Sequence, residues 1–204
     1  MKYDAVIFDL LTALIDSWTL WNDVAGSADA GMRWRRRYLE IAYGCGPYRP
    51  YETLVREAAR DVGLPESLGD ALERRWGELR PWPEAQRVLG HVPVPLAVAT
   101  NCSVRLGQQA ADRVGVPFKV VVTAESAGFY KPRPEAYRAV LEALRTAPER
   151  TLFVAGSASD VPGAGAVGMP VYWHNRIGLP PRDDARPDHP EPSLDKLADL
   201  FSRN

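Results

Sequence analysis

Asp9 closes an apolar, β-rich run, Ala5-Val6-Ile7-Phe8, and a carboxylate held at such a point can act as a nucleophile. Three further groups of polar residues follow apolar runs in the same way. Thr100 and Asn101 end the run from Val94, Lys131 comes after Lys119 to Thr123, and Ser157 and Asp160 come after Thr151 to Ala155. Together they supply a nucleophile, a hydroxyl and an amide to hold an anion, a lysine, and a second carboxylate to pair with it. Any one of these alone is more often a cap, a turn or a surface loop residue. Four groups in order, each after an apolar run, fit a site better than chance.

The elements that must position them follow from the patterning. A short continuous apolar run suits a strand buried on both faces of a parallel sheet. Strands are expected at 5–8, 94–100, 119–123, 151–155 and 170–174, with helices at 104–114, 133–144 and from 160 to about 167. Alternating strands and helices imply α/β architecture, a Rossmann-like parallel sheet with helices on both faces. The strands' carboxyl ends then share one edge, where ligands bind. Between Asp16 and Trp82 no strand is evident. Helices are expected over 18–43, 51–62 and 65–79, broken at Gly44-Cys45-Gly46-Pro47 and Gly63-Leu64-Pro65. The chain therefore divides into a core of 1–14 and 83–204 and a helical cap of 15–82. The polar, proline-rich stretch 183–192 reads as a surface loop, and Ser193 as the cap of a final helix to Phe201.

Within the first long helix, Trp34, Tyr38 and Ile41 form an apolar stripe with Arg35 beside it. Arg36 and Glu40 form an i, i+4 pair facing water. Of the run Arg33-Trp34-Arg35-Arg36-Arg37, Arg35 is thus the arginine turned toward the protein. The tryptophans at 18, 21, 34, 76 and 82 are expected to pack the core.

Composition narrows the partners. The 204 residues are 46% hydrophobic, with 25 basic against 26 acidic side chains and a net charge of −1. That balance argues against nucleic acid or an anionic membrane as partner, and no apolar stretch is long enough to span a bilayer. The first strand begins almost at once, so no leader is expected. Cys45 and Cys102 have no disulfide or metal spacing, which suits reduced thiols in the cytoplasm. His91, His174 and His189 show no metal spacing and receive no role.

The order and spacing of these groups resemble the haloacid dehalogenase superfamily of aspartate-nucleophile hydrolases, across essentially the whole chain. Three stretches resemble its L-2-haloacid dehalogenase branch: Trp34 to Glu40, Tyr130-Lys131-Pro132 through Tyr137, and Trp173-His174-Asn175-Arg176-Ile177-Gly178. The resemblance implies a catalytic set of Asp9, Arg35, Lys131 and Asp160, with Arg35 receiving the leaving halide. It implies substrate contacts from Leu11, Thr100, Asn101, Tyr137 and Ser157, and structural roles for Trp173 and Asn175. The branch is commonly dimeric, so a homodimer is a possible partner arrangement.

Departures matter as much. Superfamily phosphatases carry a second aspartate where this chain has Leu11, to protonate the leaving alcohol, and an acidic Mg²⁺ ligand where it has Gly156. A carboxylate approaching a phosphate dianion needs a cation to offset the repulsion. A 2-halo acid offers a neutral carbon, and halide leaves without a proton. The branch itself usually has tyrosine, glycine and threonine where Leu11, Thr12 and Ala13 stand. A serine is replaced by Thr100, and in the fourth motif a serine, an asparagine and an aromatic are replaced by Ala155, Ser157 and Ser159. The expected function is hydrolysis of a small 2-substituted carboxylic acid, with no metal and no cofactor required. An atypical Mg²⁺-dependent phosphatase and a catalytically silent binding protein of this fold remain alternatives.

Overall fold

The computed structural model describes residues 2–183 and 186–202. A six-stranded sheet forms the centre. β1 (Ala5–Phe8) lies between β4 (Leu96–Thr100) and β6 (Thr151–Ala155), and β5 (Val120–Thr123), β7 (Val171–His174) and β8 (His189–Glu191) complete the order β5-β4-β1-β6-β7-β8. Every pairing in it is parallel. All four residues of β1 are buried. Side chains alternate between faces along a strand: Val6 and Phe8 join one apolar cluster with Val98 and Val154, while Ile7 joins the other with Ala97 and Phe153. With both faces covered, the strands read as apolar runs, which is why the sequence exposes them.

The remaining elements lie in chain order around this sheet. β2 (Ile15–Asp16) pairs antiparallel with β3 (Arg80–Pro81), a two-residue ribbon at the base of the helical stretch. Between them run α1 (Ser17–Ala25), α2 (Ala28–Gly44), α3 (Tyr51–Asp61) and α4 (Ser67–Arg74). Beyond β3 come α5 (Ala85–Leu89), α6 (Val104–Arg113), α7 (Ala124–Ala127), α8 (Pro134–Leu144) and α9 (Asp160–Ala166).

Several expectations are corrected here. The helix expected over 18–43 is two helices, because Gly26 adopts φ +82°, left-handed backbone suited to glycine, and Ser27 then caps α2 by accepting from Ala30 N. The helix expected over 65–79 ends at Arg74, followed by a tight turn at Trp76–Glu78. The β2–β3 ribbon stands where no strand was evident. The loop expected over 183–192 contains β8, an edge strand whose His-Pro-Glu sequence carries no apolar signal; residues 184–185 of that stretch lie outside the described residues. The final helix is reduced to a single turn, Ala198–Phe201. Arg36 does not pair with Glu40; Arg37 does, at 3.2 Å, and also holds Asp61. Among the described residues no helix is long and apolar enough to cross a membrane.

The helical stretch is fastened to the rest of the chain by hydrogen bonds from buried side chains. Tyr38 Oη donates to Asn101 O at 2.8 Å, Trp76 Nε1 to Leu106 O at 2.9 Å, and Tyr130 Oη to Arg49 O at 2.8 Å. Inside it, Trp34 Nε1 donates to Val55 O at 2.8 Å, so the large indole packs between α2 and α3 without an orphaned N–H.

Candidate active site

Asp9 follows β1 and opens a tight turn, residues 10–14, that brings backbone N–H groups back onto its carboxylate. Thr12 N donates to Asp9 Oδ2 at 3.1 Å, Ala13 N at 3.2 Å, and the Thr12 hydroxyl donates to the same oxygen. Lys131 Nζ donates to the other oxygen, Oδ1, at 2.9 Å. The two oxygens are therefore inequivalent: one is saturated by the turn, the other faces a single ammonium. Burial by itself would raise the Asp9 pKa, yet Lys131 and the turn donors together hold it below the ordinary carboxylate value.

Lys131 also donates to Asp160 Oδ2 at 2.9 Å, and Tyr137 Oη donates to Asp160 Oδ1 at 2.7 Å. Asp9, Lys131 and Asp160 are 6%, 3% and 3% exposed. Burial opposes the lysine's charge, but the two carboxylates more than offset it and raise its pKa. Burial, assisted by the charge on Asp9, leaves Asp160 above its ordinary value despite Lys131. A buried ion pair with its desolvation penalty is a poor way to gain stability; this one fixes the charge state and direction of Asp9.

Arg35 faces the same space from α2. Its Nη1 donates to Ser17 Oγ at 2.8 Å, Ser17 Oγ in turn donates to Leu11 O, and the guanidinium lies 3.8 Å from the centre of the Trp18 ring. It is 7% exposed and makes no ion pair among the described residues. A buried cation with free donors and an aromatic face behind it suits an incoming anion. Burial lowers its pKa, though an arginine retains its charge.

These groups line one cavity of about 220 Å³, which also takes in Thr12, Trp18, Met32, Arg36, Leu39, Tyr43, Ser159 and Leu179. Of the residues expected from sequence, Asp9, Leu11, Arg35, Asn101, Lys131, Ser157 and Asp160 line it. Thr100 and Tyr137 do not. The Thr100 hydroxyl lies 3.7 Å from Cys102 Sγ beneath the site, and Tyr137 reaches the site only through Asp160. Asn101 lines the cavity, but its amide is spent on the backbone of Lys131. Ser157 Oγ accepts from Ser159 N at 3.2 Å. Cys102 is no competing nucleophile, since burial pushes its thiol up to about 12.

Sequence reasoning missed Ser17, Trp18, Arg36, Tyr43 and Leu179, and it treated Thr12 as a departure only. Trp18 was expected in the core; it is half-buried and stacks on Arg35. Ser17 carried one usable signal, its place just after the α1 cap Asp16.

The Gly156 position bears on a metal. A Cβ there would sit 2.3 Å from Ala13 N and 2.5 Å from Thr12 Oγ1. Thr12, whose backbone and hydroxyl donate to Asp9, fills the space that an acidic side chain at 156 would need. Among the described residues, no cluster of three or more acids, histidines or cysteines could hold a metal ion.

Comparison with known proteins identifies the family. Residues 3–168 match the family description of haloacid dehalogenase-like hydrolases, and the chain belongs to that family of hydrolases. It is 29% identical to haloacetate dehalogenase H-2 of Moraxella sp. (strain B), covering 98% of this chain and 99% of that one. It is 27% identical to (S)-2-haloacid dehalogenase 2 of Pseudomonas sp. (strain CBS-3), covering 97% and 95%. A phosphoserine phosphatase of Thermus thermophilus is 31% identical over 82% of this chain and 72% of its own. The fold matches L-2-haloacid dehalogenase from Xanthobacter autotrophicus with a TM-score of 0.87, 24% identity and 98% of both chains covered.

Proposed function

We propose that the protein hydrolyses 2-haloalkanoic acids to 2-hydroxy acids without a metal ion, through an ester on Asp9. The observation that carries this is the opposition of Asp9 and Arg35 in one cavity: a carboxylate kept ionised by Lys131 shares it with a buried guanidinium that makes no ion pair among the described residues. Asp9 attacks C2, the carbon–halogen bond breaks, and halide departs with its electron pair toward Arg35. Water then attacks the carboxyl carbon of the Asp9 ester. One proton of that water ends on the released 2-hydroxy acid, and the other leaves through Asp160, the carboxylate that remains at the site while Asp9 is esterified. The segment 15–82 acts as a cap that brings Arg35 over a core of 1–14 and 83–204.

The likeness to a phosphoserine phosphatase favours phosphate-ester hydrolysis as the second reading. Against it, Leu11 has no proton to give a leaving alcohol, and the Gly156 position has no room for an acid.

The test is halide release from both enantiomers of short 2-halo acids, without added metal, by the native protein and by Asp9→Asn. Release from the (S) enantiomer alone, absent in Asp9→Asn, is the expected result. A single turnover in ¹⁸O-water should place the label in Asp9 before it reaches product. Phosphate release from serine phosphate that requires Mg²⁺, with no halide release, would reverse the assignment.

A further inference from the structure

Beside its charged floor the cavity has an apolar wall. Leu11 from the β1 turn, Trp18 from α1, Met32 and Leu39 from α2, and Leu179 from the loop after β7 form it. At about 220 Å³ the space approaches the roughly 300 Å³ at which protein pockets enclose drug-sized molecules. A two-carbon acid engages only the floor, and apolar walls left without apolar neighbours forgo their dispersion contacts.

The placement of Leu179 is built. Asn175 Nδ2 donates to Leu179 O at 2.9 Å, and Leu179 N donates to Asn175 Oδ1 at 2.7 Å, so one side chain clasps the leucine's backbone on both sides. Three residues on, Arg182 Nη1 donates to Ser159 Oγ at 2.8 Å, and its guanidinium lies 5.5 Å from the Tyr43 ring centre. The loop is thereby tied both to the core side of the cavity, at Ser159, and to the helical side, at Tyr43. Two side-chain anchors on the loop that contributes Leu179 point to a surface shaped for a ligand rather than a passive connection.

We propose that this wall receives the hydrocarbon chain of the substrate beyond C2. The preferred substrates are then 2-halo acids with an unbranched apolar chain longer than the methyl of a 2-halopropionate, a preference that rests on the dehalogenation reading above. Leu179 is a specificity-determining residue in this assignment, and Asn175 and Arg182 position it.

The experiment is kcat/KM for halide release across 2-bromoacetate, (S)-2-bromopropionate, (S)-2-bromobutanoate and (S)-2-bromohexanoate. Each methylene that enters the apolar wall should raise kcat/KM by about fourfold, and Leu179→Trp should lower the ratio of hexanoate to propionate by at least tenfold. Leu39→Phe, on the α2 part of the same wall, provides the same ratio should the loop variant fail to fold. Turnover of bromoacetate and bromopropionate with a flat or falling series beyond them would overturn the chain-length preference and leave dehalogenation standing. Silence across the whole series would overturn both. A ratio unmoved in both variants would remove Leu179 and the apolar wall from specificity.

Discussion

Asn101 and Lys131 are joined by a two-bond clasp: Asn101 Nδ2 donates to Lys131 O at 2.9 Å, and Lys131 N donates to Asn101 Oδ1 at 2.8 Å. The amide at the end of β4 therefore sets where the lysine begins. Only a complete amide can serve, since one partner group donates and the other accepts. Asn101→Ala should lower kcat by about 10²-fold, the scale at which a misplacement of 1 Å is felt, with a smaller change in KM. Asn101→Asp loses the donor and adds a charge beside the buried triad, and it should not rescue the rate. Equal losses in kcat for alanine and glutamine variants would be expected only if reach, as well as chemistry, matters; steady-state kinetics on all three distinguishes these.

Lys131 predicts a pH dependence of definite sign. Asp9 lies below the ordinary carboxylate value, so its contribution to stability is present above that value and lost as pH falls through the lowered one. Lys131 lies above the ordinary lysine value, so its contribution is present below that value and lost as pH rises through the raised one. The Asp9–Lys131 pair accordingly stabilises from about pH 4 to about pH 10. Asp160, raised by burial, opposes this: its contribution is lost as pH rises from the ordinary carboxylate value to the raised one. Lys131→Met leaves two buried carboxylates without their cation and should cost about 3–5 kcal/mol at pH 7. The acid limb of kcat/KM should move to higher pH in the variant, as measured by urea unfolding and a pH–rate profile.

His174 predicts a second limb. Its Nδ1–H donates to Ala13 O at 2.8 Å, behind the turn that carries Asp9, while Nε2 is buried without a partner among the described residues. Burial lowers its pKa; Arg176 adds to this, while the Ala13 contact, Glu84 and Asp195 oppose it. The neutral ring is the folded form, so stability is full above about pH 6.5 and declines as pH falls below it toward the lowered value. Urea midpoints between pH 7.5 and 5 should fall more steeply for the native chain than for His174→Phe.

Gly156 and Thr12 make a steric prediction. A methyl group at 156 meets the backbone at Ala13 N within 2.3 Å, and backbone cannot yield without moving the donors to Asp9 Oδ2. Gly156→Ala should therefore reduce kcat by at least tenfold and destabilise the fold by roughly 1–3 kcal/mol, the usual range for overpacking. Gly156→Asp should create no Mg²⁺-dependent phosphatase activity on serine phosphate, measured by phosphate release with and without the ion.

The sheet was legible because β1, β4, β5, β6 and β7 are apolar runs that end on polar residues, and burial on both faces leaves no other pattern. β8 was not, because an edge strand needs only one neighbour and tolerates His189-Pro190-Glu191. The direction of Arg35 followed from helical spacing alone. Its partners did not, since Ser17 and Trp18 sit on a different helix, and the angle between α1 and α2 is set by packing rather than by periodicity. Thr100 shows the opposite failure: its position at a strand end was right, but the hydroxyl turns to Cys102, a choice fixed by side-chain rotation. In the sequence Thr12 is a mere replacement, because only the folded turn reveals that its hydroxyl falls on Asp9.

The central place of β1 has a kinetic consequence. Val6 pairs with Leu96 on one side and Leu152 on the other, and Asp9 N donates to Val154 O. The strand that leads to Asp9 is made before the others of the sheet but acquires its second neighbour only once Thr151–Ala155 exists. Pairings this distant in sequence slow the search for the native state. During synthesis, Ala5-Val6-Ile7-Phe8 is a naked apolar edge waiting for partners, the segment by which nascent chains of this protein would bind chaperones or one another.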